Sequence, residues 1–130
     1  MTSLWGKLPP IPKITTPSKI LVDQLGALQE DTNGIIVGEV VAAQPRWDIE
    51  GFAFELRAIV PSLINYRVRL VHVEHGILSY PCRIVGLLEN GAPVLVTNEE
   101  QFVAVLGHLL SDGRLMELFS NLIAQSIASS

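Results

Sequence analysis

The chain is predicted to fold as one α+β domain: an N-terminal helix, a four- to five-stranded mainly antiparallel sheet, and two C-terminal helices packed on one sheet face. Three observations carry this expectation. Apolar residues recur at three- and four-residue spacing near the N-terminus, switch to a period of two from Ile35, and return to helical spacing after Asn98. The breaks between the period-two runs are short and rich in turn formers, which joins antiparallel neighbours more easily than parallel ones. Finally, 130 residues that are 48% hydrophobic and 17% charged suffice for one packed core and exclude a disordered chain.

The first 16 residues read as an extended Pro-rich arm, with Pro9, Pro10 and Pro12 and the cations Lys7 and Lys13, and residues 17–130 read as the single domain. Pro9 to Pro12 contains a P-x-x-P, but Lys13 falls one place short of the usual ligand spacing, so a strap across this domain or a neighbour is expected. Thr16 then serves as N-cap and Pro17 as the first helical residue, where its missing N–H is no loss. Ile20, Leu21, Leu25 and Leu28 form the apolar stripe, and Asn33-Gly34 supplies the stop.

Four strands follow. They are a Val- and Ile-rich run from Ile35 to Ala43, the alternation of Phe52, Phe54, Leu56, Ala58 and Val60, that of Tyr66, Val68 and Leu70, and that of Leu78, Tyr80, Cys82 and Ile84. A fifth, Pro93 to Val96, suits a sheet edge because Pro93 donates no ladder hydrogen bond. Thr97-Asn98-Glu99-Glu100 fits a capping box with Thr97 and Glu100 as the reciprocal pair. A helix from near Asn98 is interrupted at Ser111-Asp112-Gly113, and a last helix carries Leu115, Leu118, Phe119, Leu122, Ile123 and Ile127 on one stripe.

Function is far less legible than fold. Nothing approaches the ~20 apolar residues of a membrane helix, no secretory leader is visible at the N-terminus, and Cys82 is alone, so a cytoplasmic protein with a packed free thiol is expected. Residues 1–86 balance eight bases against eight acids, while residues 87–130 hold five acids and only Arg114; the whole net charge of −4 sits in the last third. The glycines never cluster as a phosphate or dinucleotide loop, no G-x-S-x-G elbow occurs, and no cofactor is expected.

His72-Val73-Glu74-His75 has the wrong spacing for a helical zinc motif. On a strand His72 and Glu74 share a face while His75 points away, so a metal would need a third ligand such as Glu39 or His108, and none is expected. Asp48 followed by Glu55-Leu56-Arg57 weakly resembles the metal-binding acids and cation of PD-(D/E)xK nucleases. That gives an alternative reading as a metal-dependent hydrolase or nuclease using Glu39, Asp48, Glu55 and Arg57 with His72 near by.

The preferred reading rests on strand parity. If Leu56, Val68 and Ile84 face the helices, then Arg57, Arg67, Arg69 and Arg83 emerge together on the opposite face with Glu55, among Ile59, Val71, Val73 and Val85. The expected function is a non-catalytic protein-interaction module, homo-oligomeric or bound to another protein through Arg57, Arg67, Arg69, Val71, Arg83 and Val85. A third reading, single-stranded nucleic acid on the same face, is opposed by the net charge and by the lack of aromatic stacking pairs there. On small molecules the sequence is silent.

Overall fold

The computed structural model describes residues 3–11, 14–47, 51–88 and 91–129. Residues 3–11 and 14–16 form no helix or strand, and Leu4, Trp5, Leu8, Ile11 and Ile14 stand exposed. Helix α1 spans Pro17–Asp31, with the Thr16 hydroxyl accepting from the Lys19 N–H at 3.3 Å. It ends where Asn33 and Gly34 enter the left-handed region, and the Gly34 N–H closes back on the Gln29 carbonyl at 2.8 Å.

Five strands follow: β1 (Val37–Ala42), β2 (Phe52–Val60), β3 (Tyr66–His75), β4 (Cys82–Gly86) and β5 (Val94–Val96). They form one antiparallel meander in the order β1-β2-β3-β4-β5. Helices α2 (Glu99–Leu110) and α3 (Gly113–Ala128) complete the α+β fold, and all three helices lie on the same side of the sheet. Leu56, Ala58, Val71, Val73 and Ile84 meet Ile20, Leu21, Phe102, Leu106, Leu115 and Leu122 in the core between them. Gly38 lets α1 approach β1, because a Cβ there would stand 2.6 Å from Leu25 Cδ2.

Three features depart from the sequence reading. First, β3 continues to His75 through a bulge. Arg57 pairs with Arg69 and Leu56 with Val71, so Leu70 is the extra residue. Its carbonyl is not wasted, since it accepts from the Leu87 N–H at 2.8 Å. The extra residue reverses parity along the strand: Tyr66, Val68 and Leu70 face the helices before it, and Val71 and Val73 face them after it. Both Leu70 (4% exposed) and Val71 (1%) are therefore in the core.

Second, β4 begins at Cys82 rather than Leu78. Pro81 has no N–H for the ladder, and the preceding residues turn, with Tyr80 laying its ring edge-on to Phe102 at 6.4 Å. Third, the cap of α2 sits one residue later than expected. Asn98 accepts from the Gln101 N–H at 2.8 Å, and the Gln101 amide oxygen reaches back to the Thr97 N–H at 2.8 Å. Glutamine fills the role assigned to Glu100, and Asn98 that assigned to Thr97.

Candidate functional site

The sheet face turned away from the helices holds most of the chain's arginines. On β2 the alternation of Ala53, Glu55, Arg57 and Ile59 points there, and β1 adds Val37, Glu39 and Val41 through its register with β2. Before its bulge β3 presents Arg67 and Arg69, and after it His72 and Glu74; β4 adds Arg83 and Val85 and β5 adds Leu95. The bulge thus moves two polar side chains onto the arginine face in place of two valines.

Glu55 is the hub. Its Oε1 accepts from Arg57 Nε at 2.7 Å and Arg69 Nε at 2.8 Å, and its Oε2 accepts from Arg69 Nη2 at 2.9 Å. The carboxylate is 2% exposed. Burial by itself would raise its pKa, but the hydrogen bonds and charges of Arg69 and Arg57 outweigh burial and hold it below the ordinary glutamate value. Glu39 adds a looser layer, 3.8 Å from Arg57 Nη1 and 3.4 Å from Arg67 Nε.

A second polar group adjoins the first, because His72 is the cross-strand partner of Glu55. His72 Nε2 lies 2.6 Å from Glu74 Oε1, and both side chains are 1% exposed. Glu74 also accepts from the Arg46 N–H through Oε1 and from the Trp47 N–H through Oε2, the latter at 3.4 Å. Trp47 closes the pair from one side, its ring edge-on to His72 at 5.5 Å. A carboxylate that takes two backbone N–H donors is an acceptor toward the imidazole as well. His72 therefore donates from Nε2, and in the neutral ring the lone pair is on Nδ1. Among the described residues that Nδ1 has no hydrogen-bond partner.

Between these groups and the segment 42–46 runs a cleft of about 480 Å³, with Arg46, Glu55, Arg57, Arg69 and His72 in its lining. On the helix side an apolar groove of about 460 Å³ lies between α1 and α3, reaching Leu56 and Leu70 of the sheet.

Arg57, Arg67, Arg69 and Arg83 share the face to which parity assigned them. Val71 does not. Expected on that surface, it is a core residue, and Val73 with it, because of the bulge. Val85 lies on the expected face but is 5% exposed, so it offers almost no contact area.

Of the alternative catalytic set, Glu39, Glu55, Arg57 and His72 sit on one face and Asp48 lies outside the described residues. Among the described residues no three His, Cys, Asp or Glu side chains converge to hold a metal. His75 points to the other side as expected, against Phe52 and Phe54, and its Nδ1 donates to the Gly76 carbonyl at 2.8 Å. The packed Cys82 thiol is pushed up to about 12 by burial and is inert at neutral pH.

Sequence reasoning quoted Glu74 but did not place it beside the arginines, and Trp47 and the Arg46 backbone carried no signal at all. Among the described residues no helix is long and apolar enough to cross a membrane. Compared with models of known families, with curated proteins and with solved structures, the chain matches none.

Proposed function

We propose that this protein is a non-catalytic interaction module of the cell interior that binds a protein partner through the arginine-bearing sheet face, a second copy of the chain being the partner best matched in charge. The observation that carries the reading is the make-up of a face on which no described helix packs. Arg67 and Arg69 keep 54% and 56% of their side chains exposed there, beside the aliphatic Val37, Ile59 and Leu95. Guanidinium groups set among aliphatic side chains are a common composition for a protein contact, and each can still take a carboxylate in addition to its intramolecular pair. The acid-rich last third supplies such carboxylates on a second copy: Glu99, Glu100, Asp112 and Glu117 lie on or beside α2 and α3.

The metal-dependent hydrolase alternative has less support. Glu39 and Glu55, its two described acids, already face arginines that compete with a divalent cation for the same oxygens. Size-exclusion chromatography with light scattering tests the proposal, with absorbance at two wavelengths to reveal nucleic acid. A nucleic-acid-free dimer is expected, converted to a folded monomer by Arg67→Glu with Arg69→Glu. A wild-type monomer at every concentration would overturn self-association, and a dimer that survives the double substitution would overturn the assignment of the face.

A further inference from the structure

A buried lone pair with nothing to accept is a specific demand on whatever occupies the space beside it. His72 is such a case: Glu74 fixes its tautomer, its ring is 1% exposed, and its Nδ1 finds no donor among the described residues. The cleft that His72 helps to line has a second property. Among the described residues its charged lining is Arg46, Arg57 and Arg69 against the carboxylate of Glu55, with Glu39 behind Arg57 at 3.8 Å, a positive excess in a chain whose net charge is −4.

Among the described residues Arg69 spends Nε and Nη2 on Glu55, which leaves Nη1 for another acceptor, and Arg57 bonds Glu55 through Nε with its Nη1 only loosely paired to Glu39 at 3.8 Å. A positively charged cleft lined in part by a histidine whose buried Nδ1 is unpartnered selects, with that ring neutral, for a ligand that is both an anion and a hydrogen-bond donor. Sulfate and simple carboxylates are anions without a proton to give. Monohydrogen phosphate, a phosphomonoester in its monoanionic form and a 2-hydroxy acid carry an O–H on or beside the charged group.

We propose that the cleft between β2, β3 and the segment 42–46 binds a small oxyanion that bears its own O–H, with Arg57 and Arg69 holding the charged oxygens and His72 Nδ1 accepting the ligand proton. At about 480 Å³ the cleft has room for an organic substituent on that head group. The site shares Arg69 with the sheet-face contact but needs only one copy of the chain and lies at the end of the face bordered by the segment 42–46, so ligand binding by a monomer would separate the two readings.

Titration calorimetry on the full chain at neutral pH tests the idea with two matched pairs, inorganic phosphate against sulfate and lactate against propionate. The expected result is at least tenfold tighter binding of the O–H-bearing member in one pair. Preference confined to the phosphate pair assigns a phosphoryl head group, and preference confined to the lactate pair a hydroxy acid. Arg69→Gln should weaken that ligand at least tenfold while circular dichroism stays unchanged. Nitrogen-15 NMR of the His72 ring should show the Nδ1 resonance moving on addition of the ligand while Nε2 stays put. Equal binding of both members of each pair would overturn the role of His72, and no binding of any of the four would overturn the site, leaving Nδ1 to a buried water.

Discussion

Val71→Thr distinguishes the bulged strand from an unbroken one, because the two geometries give opposite answers for a nearly isosteric change. With plain alternation Val71 would share the open face with Arg67 and Arg69, and a threonine there would shift stability by no more than about 0.5 kcal/mol, as for most surface substitutions. In the bulged strand Val71 is 1% exposed, in the core with Leu56 and Ile84. A hydroxyl placed there without a partner costs roughly 1–3 kcal/mol on mutational scales. For a domain of this size each kcal/mol is about 3–5 °C of melting temperature. A fall of about 3–15 °C is therefore expected by calorimetry or thermal circular dichroism. Arg67→Thr, on the exposed side of the same strand, is the control and should move the midpoint by no more than about 2 °C. Equal, small shifts for the two variants would refute the bulge and return His72 and Glu74 to the helix side.

Other consequences of the arrangement can be checked separately. Glu55 titrates below its ordinary value in the folded chain, so the stability it contributes is present above about pH 4.5 and is lost as pH falls through the lower folded value. Urea midpoints measured between pH 6 and pH 3 should fall for the wild type, and Glu55→Gln should remove part of that slope while lowering stability at pH 7 by roughly 1–3 kcal/mol. Glu74→Gln presents an NH2 group where two backbone donors and His72 converge, so amide hydrogen exchange at Arg46 and Trp47 should speed up at least tenfold while exchange in β2 stays slow. Gly51→Ala should be the more damaging of two glycine substitutions, since its Cβ would lie 2.3 Å from the His75 carbonyl oxygen and 2.7 Å from Gly76 Cα, both backbone. Gly38→Ala is crowded only by the tip of Leu25, at 2.6 Å, which can rotate, while the Arg57 carbonyl oxygen and Leu28 stand at an ordinary 3.5 Å. Losses of about 2–3 kcal/mol and under about 1 kcal/mol follow, and the reverse order in denaturant melts would count against this packing.

Much of the fold was legible because local chemistry and global packing agree there. Thr16-Pro17 and Asn33-Gly34 bracket α1 by capping rules that need no tertiary partner, and β2 alternates without interruption over nine residues. The bulge left a trace that a reading by strict alternation passed over: Leu70 and Val71 are consecutive apolar residues, so the period-two pattern of Arg67 to Leu70 resumes out of phase at His72, and pairing with β2 makes Leu70 the extra residue. That one irregularity accounts for the misplacement of Val71 and for the separation of His72 and Glu74 from the arginines in the sequence reading. The arginine face could be read from parity on β2 and β4, whereas the Glu74 carboxylate that orients His72 is held by main-chain N–H groups of Arg46 and Trp47, which every residue but proline possesses and which therefore leave no trace in composition.

The order of the strands also shapes how the chain finds its structure. Every ladder joins strands adjacent in sequence, so no long loop has to close before pairing begins, and β2 and β3, the longest pair, need only residues 61–65 to turn back on each other. That hairpin carries Glu55, Arg57, Arg69 and His72. The cluster of Glu55, Arg57 and Arg69 therefore lies within a single hairpin, and its ion pairs tie the two strands in register without any contribution from the terminal helices.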